Sequence, residues 1–146
     1  MQIKELGHVV LYVTDLHTSA DFYKNTLGFT EIAREKGMAV FSSDRTHHEL
    51  LLIEVGGQPK EREFGRPGLY HIGFKIGDSD EELQQAIKEL KEKGVHIIGM
   101  SDHTVTHSLY ILDPDGNELE LYVDISLEWK KNPKAIIAPV KPLHFL

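Results

Sequence analysis

The chain of 146 residues has no cysteine, one tryptophan and three methionines, and its 16 Lys and Arg are outnumbered by 23 Asp and Glu. Without thiols there is no disulfide framework and no thiolate ligand, so a bound metal must be held by nitrogen and oxygen. That leaves iron, manganese, zinc, nickel or cobalt. The formal charge of -7, with the cations scattered, provides no basic stripe for a phosphate backbone, and no nucleic-acid partner is expected. An acidic surface could still attract a cationic ligand. No apolar run approaches the length of a membrane span, and the N-terminus reaches strand-like sequence without the charged and apolar regions of a signal peptide. The expectation is a cytoplasmic protein with no membrane partner, whose ordinary apolar fraction can bury a core.

What is present is an order of elements that occurs twice. Residues 6–14 read as a strand, followed by a helix with Asp15 as N-cap and a stop at Gly28, then strands at 29–34, 38–42 and 48–55. Gly56-Gly57-Gln58-Pro59 opens a polar connection that runs to Pro67-Gly68. The order then returns with a strand at 69–77 and a helix opened by the capping box Ser79-Asp80-Glu81-Glu82. Its Leu83, Ala86, Ile87 and Leu90 recur at helical spacing before Gly94. Strands at 95–98, 107–112 and 118–123 follow, the last two joined by the turn Asp113-Pro114-Asp115-Gly116-Asn117. His8 aligns with His71, Asp15 with Asp78 and Gly28 with Gly94, which marks an internal duplication.

The expected architecture is α+β: two βαβββ pseudo-repeats forming a curved mixed sheet, with helices on the outer face. A single domain over 1–124 would comprise repeat one at 1–56, a loop at 57–68 and repeat two at 69–124. The tail 125–146, with Trp129 and three prolines, reads as an arm crossing the domain, a lid or a subunit clasp.

Strand parity singles out three side chains. Val9, Leu11 and Val13 share one face of their strand, as do Ile72, Phe74 and Ile76, and Leu119, Leu121 and Val123. The opposite parity carries His8, His71 and Glu120. Two imidazoles and one carboxylate from separate strands form the facial triad that leaves open positions on Fe(II).

In this pattern residues 3–124 resemble the vicinal oxygen chelate superfamily, which includes glyoxalase I, type I extradiol dioxygenases, fosfomycin-modifying enzymes, an epimerase and bleomycin-binding proteins. The likeness rests on the paired βαβββ order, His8, His71, and Asp113-Pro114-Asp115-Gly116-Asn117 followed by Glu118-Leu119-Glu120-Leu121. A narrower likeness to the extradiol signature runs from His103 through Leu109-Tyr110, Asp113-Pro114 and Gly116 to Glu120, departing at Ser101. His48-Glu49-Leu50-Leu51-Leu52 is similar to an extradiol strand that begins with an active-site histidine, although His47 beside it leaves the register open by one.

The resemblance implies that His8, His71 and Glu120 hold Fe(II), and that His48 lies near dioxygen as a proton donor. It implies that His103 and Tyr110 bind the ring hydroxyls or handle their protons. The implied reaction is extradiol cleavage of a catechol-like aromatic diol with O2, by a homo-oligomer. The leading alternative is a glyoxalase I-like site, whose fourth ligand comes from the last strand of the first half. Aligned with Glu120, that place holds Leu51, which cannot coordinate, with Glu49 able to substitute if the strand slips. An epimerase and a metal-free drug-binding resistance protein are further alternatives.

Overall fold

The computed structural model describes residues 1–59, 61 and 65–145. The chain divides into two compact units, one comprising Met1–Arg62 with Asp113–Gly116 and the other Glu63–Leu112 with Asn117–Leu146. Instead of one continuous curved sheet there are two mixed sheets, one for each repeat. Part of the expected connection at 57–68, residues 60 and 62–64, lies outside the described residues.

The first unit is built on β1 (Val9–Val13), α1 (Leu16–Asp21), β2 (Thr30–Glu35), β3 (Met38–Ser42) and β4 (Leu50–Glu54). The strands lie in the order β1-β4-β3-β2, with β1 parallel to β4 and the remaining pairs antiparallel. Leu11, Val13, Phe41, Leu50 and Leu52 are buried beneath α1 with Leu16, Ala20 and Tyr23. Each large apolar side chain so buried contributes roughly 1.5–3 kcal/mol, and truncating Phe41 to alanine would cost about 3–5 kcal/mol.

Asp15 opens α1 by accepting a hydrogen bond from Thr18 N at 2.7 Å, while Leu16 N donates to Glu54 Oε2 at 2.7 Å. The helix then widens into a π-turn at Phe22–Thr26, and Gly28 ends it with a left-handed φ of 79°.

The turn Asp113–Gly116 belongs to this unit although its sequence lies in the second repeat. Asp115 accepts from Thr14 N at 3.0 Å and from Ser19 Oγ at 3.1 Å, and Asp113 accepts from the Tyr23 hydroxyl at 2.8 Å.

Two expected strand ends move inward. The first strand starts at Val9 because the carbonyls of Leu6 and Gly7 accept from the Arg45 guanidinium and are lost to the ladder. The fourth starts after His48, since Glu49 folds its carboxylate back onto Ser43 N at 2.8 Å and Thr46 N at 3.0 Å, closing a tight loop.

The second unit contains β5 (His71–Gly77), α2 (Asp80–Glu92), β6 (Ile97–Asp102), β7 (Thr106–Leu112), β8 (Glu118–Asp124) and the short β9 (Lys141–Pro142). Its sheet runs β5-β8-β7-β6-β9, with β5 parallel to β8. The expected cap forms with a shift in its return bond: Ser79 Oγ accepts from Glu82 N, while Glu82 Oε2 accepts from Asp78 N at 2.8 Å, one residue ahead of the N-cap. Leu83 and Leu90 of α2 are buried with Ile72, Leu109, Ile111, Leu119, Leu121 and Val123. The strand expected at 95–98 begins later and runs to Asp102, where it pairs with β7 and, through Ser101 and Asp102, with β9.

The tail is ordered against this unit. Ile125 N donates to Val105 O at 3.0 Å, two 3₁₀ turns follow at Glu128–Lys130 and Pro133–Ile137, and Ala135 and Leu143 are buried.

Candidate functional site

In the second unit β5 and β8 are parallel and in register, with His71 beside Glu118 and Gly73 beside Glu120. Their apolar parity faces α2, so His71 and Glu120 emerge together on the other face. His71 Nε2 and Glu120 Oε2 lie 3.0 Å apart. Gly73 keeps the space beside the carboxylate open, since a Cβ there would meet Glu120 Oε2 at 3.4 Å.

Around this pair stand the other second-repeat residues expected from the sequence. The Tyr110 hydroxyl is 2.7 Å from His103 Nε2 and donates to Glu120 Oε1 at 3.4 Å. The His71 and Tyr110 rings meet edge to face with centroids 5.9 Å apart. Burial first, and then the Glu120 charge, pushes the Tyr110 hydroxyl up to about 12, with a bond to Ser101 acting the other way. Tyr110 is therefore a neutral donor throughout the physiological range.

Two residues that the sequence reading passed over complete the support. Ser108, fully buried, donates to Glu120 Oε1 at 2.6 Å and fixes the carboxylate's rotation. Its signal was available, because it shares strand parity with Tyr110, the neighbour of Glu120 in register. Glu118, also buried, brings Oε1 to 3.8 Å from His71 Nδ1, a buried nitrogen with no hydrogen-bond partner among the described residues.

The first unit gathers the remaining expected residues into a histidine group. His8 stacks on His48 with centroids 4.4 Å apart and planes at 29°, while His47 lies further off at 6.4 Å. His48, rather than His47, is thus the closer neighbour of His8. Burial, and then the neighbouring His8 and His47, holds the His48 imidazole below its ordinary value. The possible fourth ligand, Glu49, is occupied by the loop it caps and lies 3.6 Å from Arg45 Nε.

The donor chemistry of the His71 and Glu120 pair fits a divalent ion. Two ligands about 2.1 Å from one ion and at right angles are about 3 Å apart. The outer hydrogen bond that usually steadies such an imidazole is not made among the described residues, since Glu118 Oε1 stops 3.8 Å short of His71 Nδ1. Among the described residues no group of three or more His, Asp or Glu side chains is itself arranged to hold a metal. His71 and Glu120 come together, and His8 belongs to the first unit.

A cavity of about 480 Å³ opens over the pair, floored by His71, His103, Tyr110 and Glu120. That volume falls within the range of small-ligand pockets.

The family model described as the glyoxalase/bleomycin resistance protein/dioxygenase superfamily matches residues 5–121. The chain belongs to this superfamily. Among its relatives, catechol-2,3-dioxygenase of Bacillus subtilis is 34% identical over 119 residues, covering 82% of this chain and 41% of that protein. Biphenyl-2,3-diol 1,2-dioxygenase 2 of Rhodococcus globerulus is 30% identical over 120 residues, covering 82% of this chain and 63% of that protein. The chain therefore spans less than two thirds of the length of either. The solved structure of the fosfomycin resistance protein FosX from Listeria monocytogenes shares the fold. It has a TM-score of 0.68 and 26% identity, and covers 87% of this chain and 98% of that one. Dioxygenases, glyoxalases and resistance proteins thus share the superfamily's fold, and chemistry within it follows from the residues of each site. No helix among the described residues of this member is long and apolar enough to cross a membrane.

Proposed function

We propose that this superfamily member is an Fe(II)-dependent extradiol dioxygenase that opens the ring of a catechol-like aromatic diol with O2. The observation that carries the reading is the His71 and Glu120 pair with His103 and Tyr110 beside it over one cavity. His71 and Glu120, with His8, would hold the iron. Bound Fe(II) supplies the redox centre at which diol and dioxygen react; manganese, zinc, nickel or cobalt are alternative occupants of the same donors.

The protein's part is positioning and proton handling. A diol must give up a proton to chelate, and His103, within hydrogen-bond reach of Tyr110 at the cavity, is the base at hand. Tyr110 keeps its own proton and donates to a ring oxygen. Ser108 holds the Glu120 carboxylate in one orientation, so its second oxygen stays directed at His71. His48, beside His8, would deliver a proton on the dioxygen side. The cytoplasm and a homo-oligomeric state are the proposed setting, with no nucleic-acid or membrane partner.

Two observations favour this reading over its rivals. Glu49 is held by Ser43 and Thr46, which leaves a glyoxalase site short of its fourth ligand. The described side chains lining the cavity include no Lys or Arg, which a phosphonate or phosphate substrate would call for.

The test is anaerobic reconstitution with Fe(II), followed by catechol or 2,3-dihydroxybiphenyl and oxygen, with appearance of the yellow ring-opened product as the readout. Failure across a panel of diols, together with turnover of the methylglyoxal and glutathione hemithioacetal under Ni(II) or Zn(II), would replace the dioxygenase with a glyoxalase.

A further inference from the structure

Part of the cavity's lining comes from outside the family match, which ends at residue 121. Trp129 and Ile136, on the two 3₁₀ turns of the tail, line the same cavity as His71, His103, Tyr110 and Glu120. Both are large apolar side chains left substantially open, 37% and 52% exposed. An indole and a branched aliphatic chain lining one cavity with these polar groups suit it to a ligand that is polar at one end and apolar at the other.

The tail is fixed at both ends to the segment that carries His103. Ile125 N donates to Val105 O at one end, and β9 pairs with Ser101 and Asp102 at the other. Within the tail, Asn132 caps the second turn by accepting from Lys134 N, and Ala135 is buried beneath it. A strap with pinned ends presents its apolar side chains without a large ordering cost on binding.

We infer that the 125–146 strap is the specificity element of the site, its Trp129 and Ile136 receiving an apolar, preferably aryl, substituent on the ring of the diol. The inference rests on the dioxygenase reading for the polar end of the ligand, and on the cavity alone for the apolar end. An unsubstituted ring leaves the wall unfilled; a second aryl ring covers the indole face, and the apolar area removed from water sets the preference.

Two measurements test it, one independent of turnover. Trp129 is the chain's only tryptophan, so its emission reports this wall directly. Titrating the metal-free protein with 2-hydroxybiphenyl should quench or shift the emission saturably, whereas phenol at equal concentration should leave it nearly unchanged. In the iron-loaded enzyme, the ratio of kcat/KM for 2,3-dihydroxybiphenyl over catechol should fall about tenfold or more in Trp129→Ala and in Ile136→Ala. The opposite change, Ile136→Trp, should also lower that ratio by filling the pocket, and guards against misfolding of the truncated variants.

An unperturbed emission at saturating 2-hydroxybiphenyl, or a selectivity ratio within twofold of the parent in all three variants, would overturn the inference. So would a change of molecular mass by light scattering in Trp129→Ala with selectivity intact, which would assign the patch to a second copy of the chain. Were no diol cleaved at all, the dioxygenase reading would fall while the emission titration still decided the role of the strap.

Discussion

The Tyr110 hydroxyl stands 2.7 Å from His103 Nε2, joining the middle of β7 to the turn that leads into it from β6. A phenol kept neutral by burial and an imidazole within hydrogen-bond reach thus stand beside the carboxylate proposed as a ligand, Tyr110 being the cross-strand neighbour of Glu120.

Replacing either member should therefore damage chemistry and spare metal. In His103→Ala, kcat is expected to fall about 10²–10⁴-fold while iron content per chain stays at the parent value. Tyr110→Phe should behave likewise with a smaller loss. Steady-state kinetics beside metal analysis decides the matter; iron lost in proportion to activity would make His103 a ligand instead.

Ser108→Ala addresses the carboxylate's support. Among the described residues, deleting the hydroxyl leaves Glu120 Oε1 with the long bond from Tyr110, and metal affinity should weaken about 10–100-fold. Competition with a chelator under nitrogen measures it. The same variant should lose only about 1 kcal/mol of stability in urea melts, since a single hydrogen bond is involved.

Tyr23→Phe probes the buried bond to Asp113. Removing the donor leaves a buried acceptor under-satisfied and should cost about 1–3 kcal/mol at neutral pH. The pH dependence has a definite sign. Burial, and then Asp113, raises the Tyr23 hydroxyl far above its ordinary 10.0, so the folded state holds the proton more tightly than the unfolded chain. That contribution is complete below pH 10 and declines as pH climbs beyond it. Tyr110, raised to about 12, adds a smaller decline over the same window. Urea titrations on the alkaline side should show a shallower fall in Tyr23→Phe than in the parent; parallel curves would remove Tyr23 as the cause.

Gly77→Ala tests the second helix cap. A Cβ at Gly77 would overlap the Glu82 carboxyl group well inside van der Waals contact, and that carboxylate accepts from Asp78 N and Ser79 Oγ. The side chain can swing away, at the expense of the cap, so a loss of roughly 0.5–2 kcal/mol is expected by thermal melting. An unchanged melting temperature would mean the cap contributes nothing.

Sequence periodicity carried much of this molecule. The alternation of Ile72, Phe74 and Ile76 against His71, and of Leu119, Leu121 and Val123 against Glu120, is enough to put His71 and Glu120 on one face once β5 and β8 pair. Asp15 and the Ser79 box also fall where expected, because caps are local. The less legible features are those that depend on distant partners. Arg45 ends a strand by taking carbonyls far back along the chain, Glu49 is consumed by a loop, and Ser108 acquires meaning only through register with β8. Trp129 and Ile136 lie in a stretch without period, so no pattern could assign them a face.

The Asp113–Gly116 turn has one more implication. A polypeptide severed after residue 62 would leave behind the carboxylates on which Thr14, Ser19 and Tyr23 depend. The repeat that looks self-sufficient in sequence would thus emerge from the ribosome unfinished, waiting on about fifty further residues before its helix could be fastened.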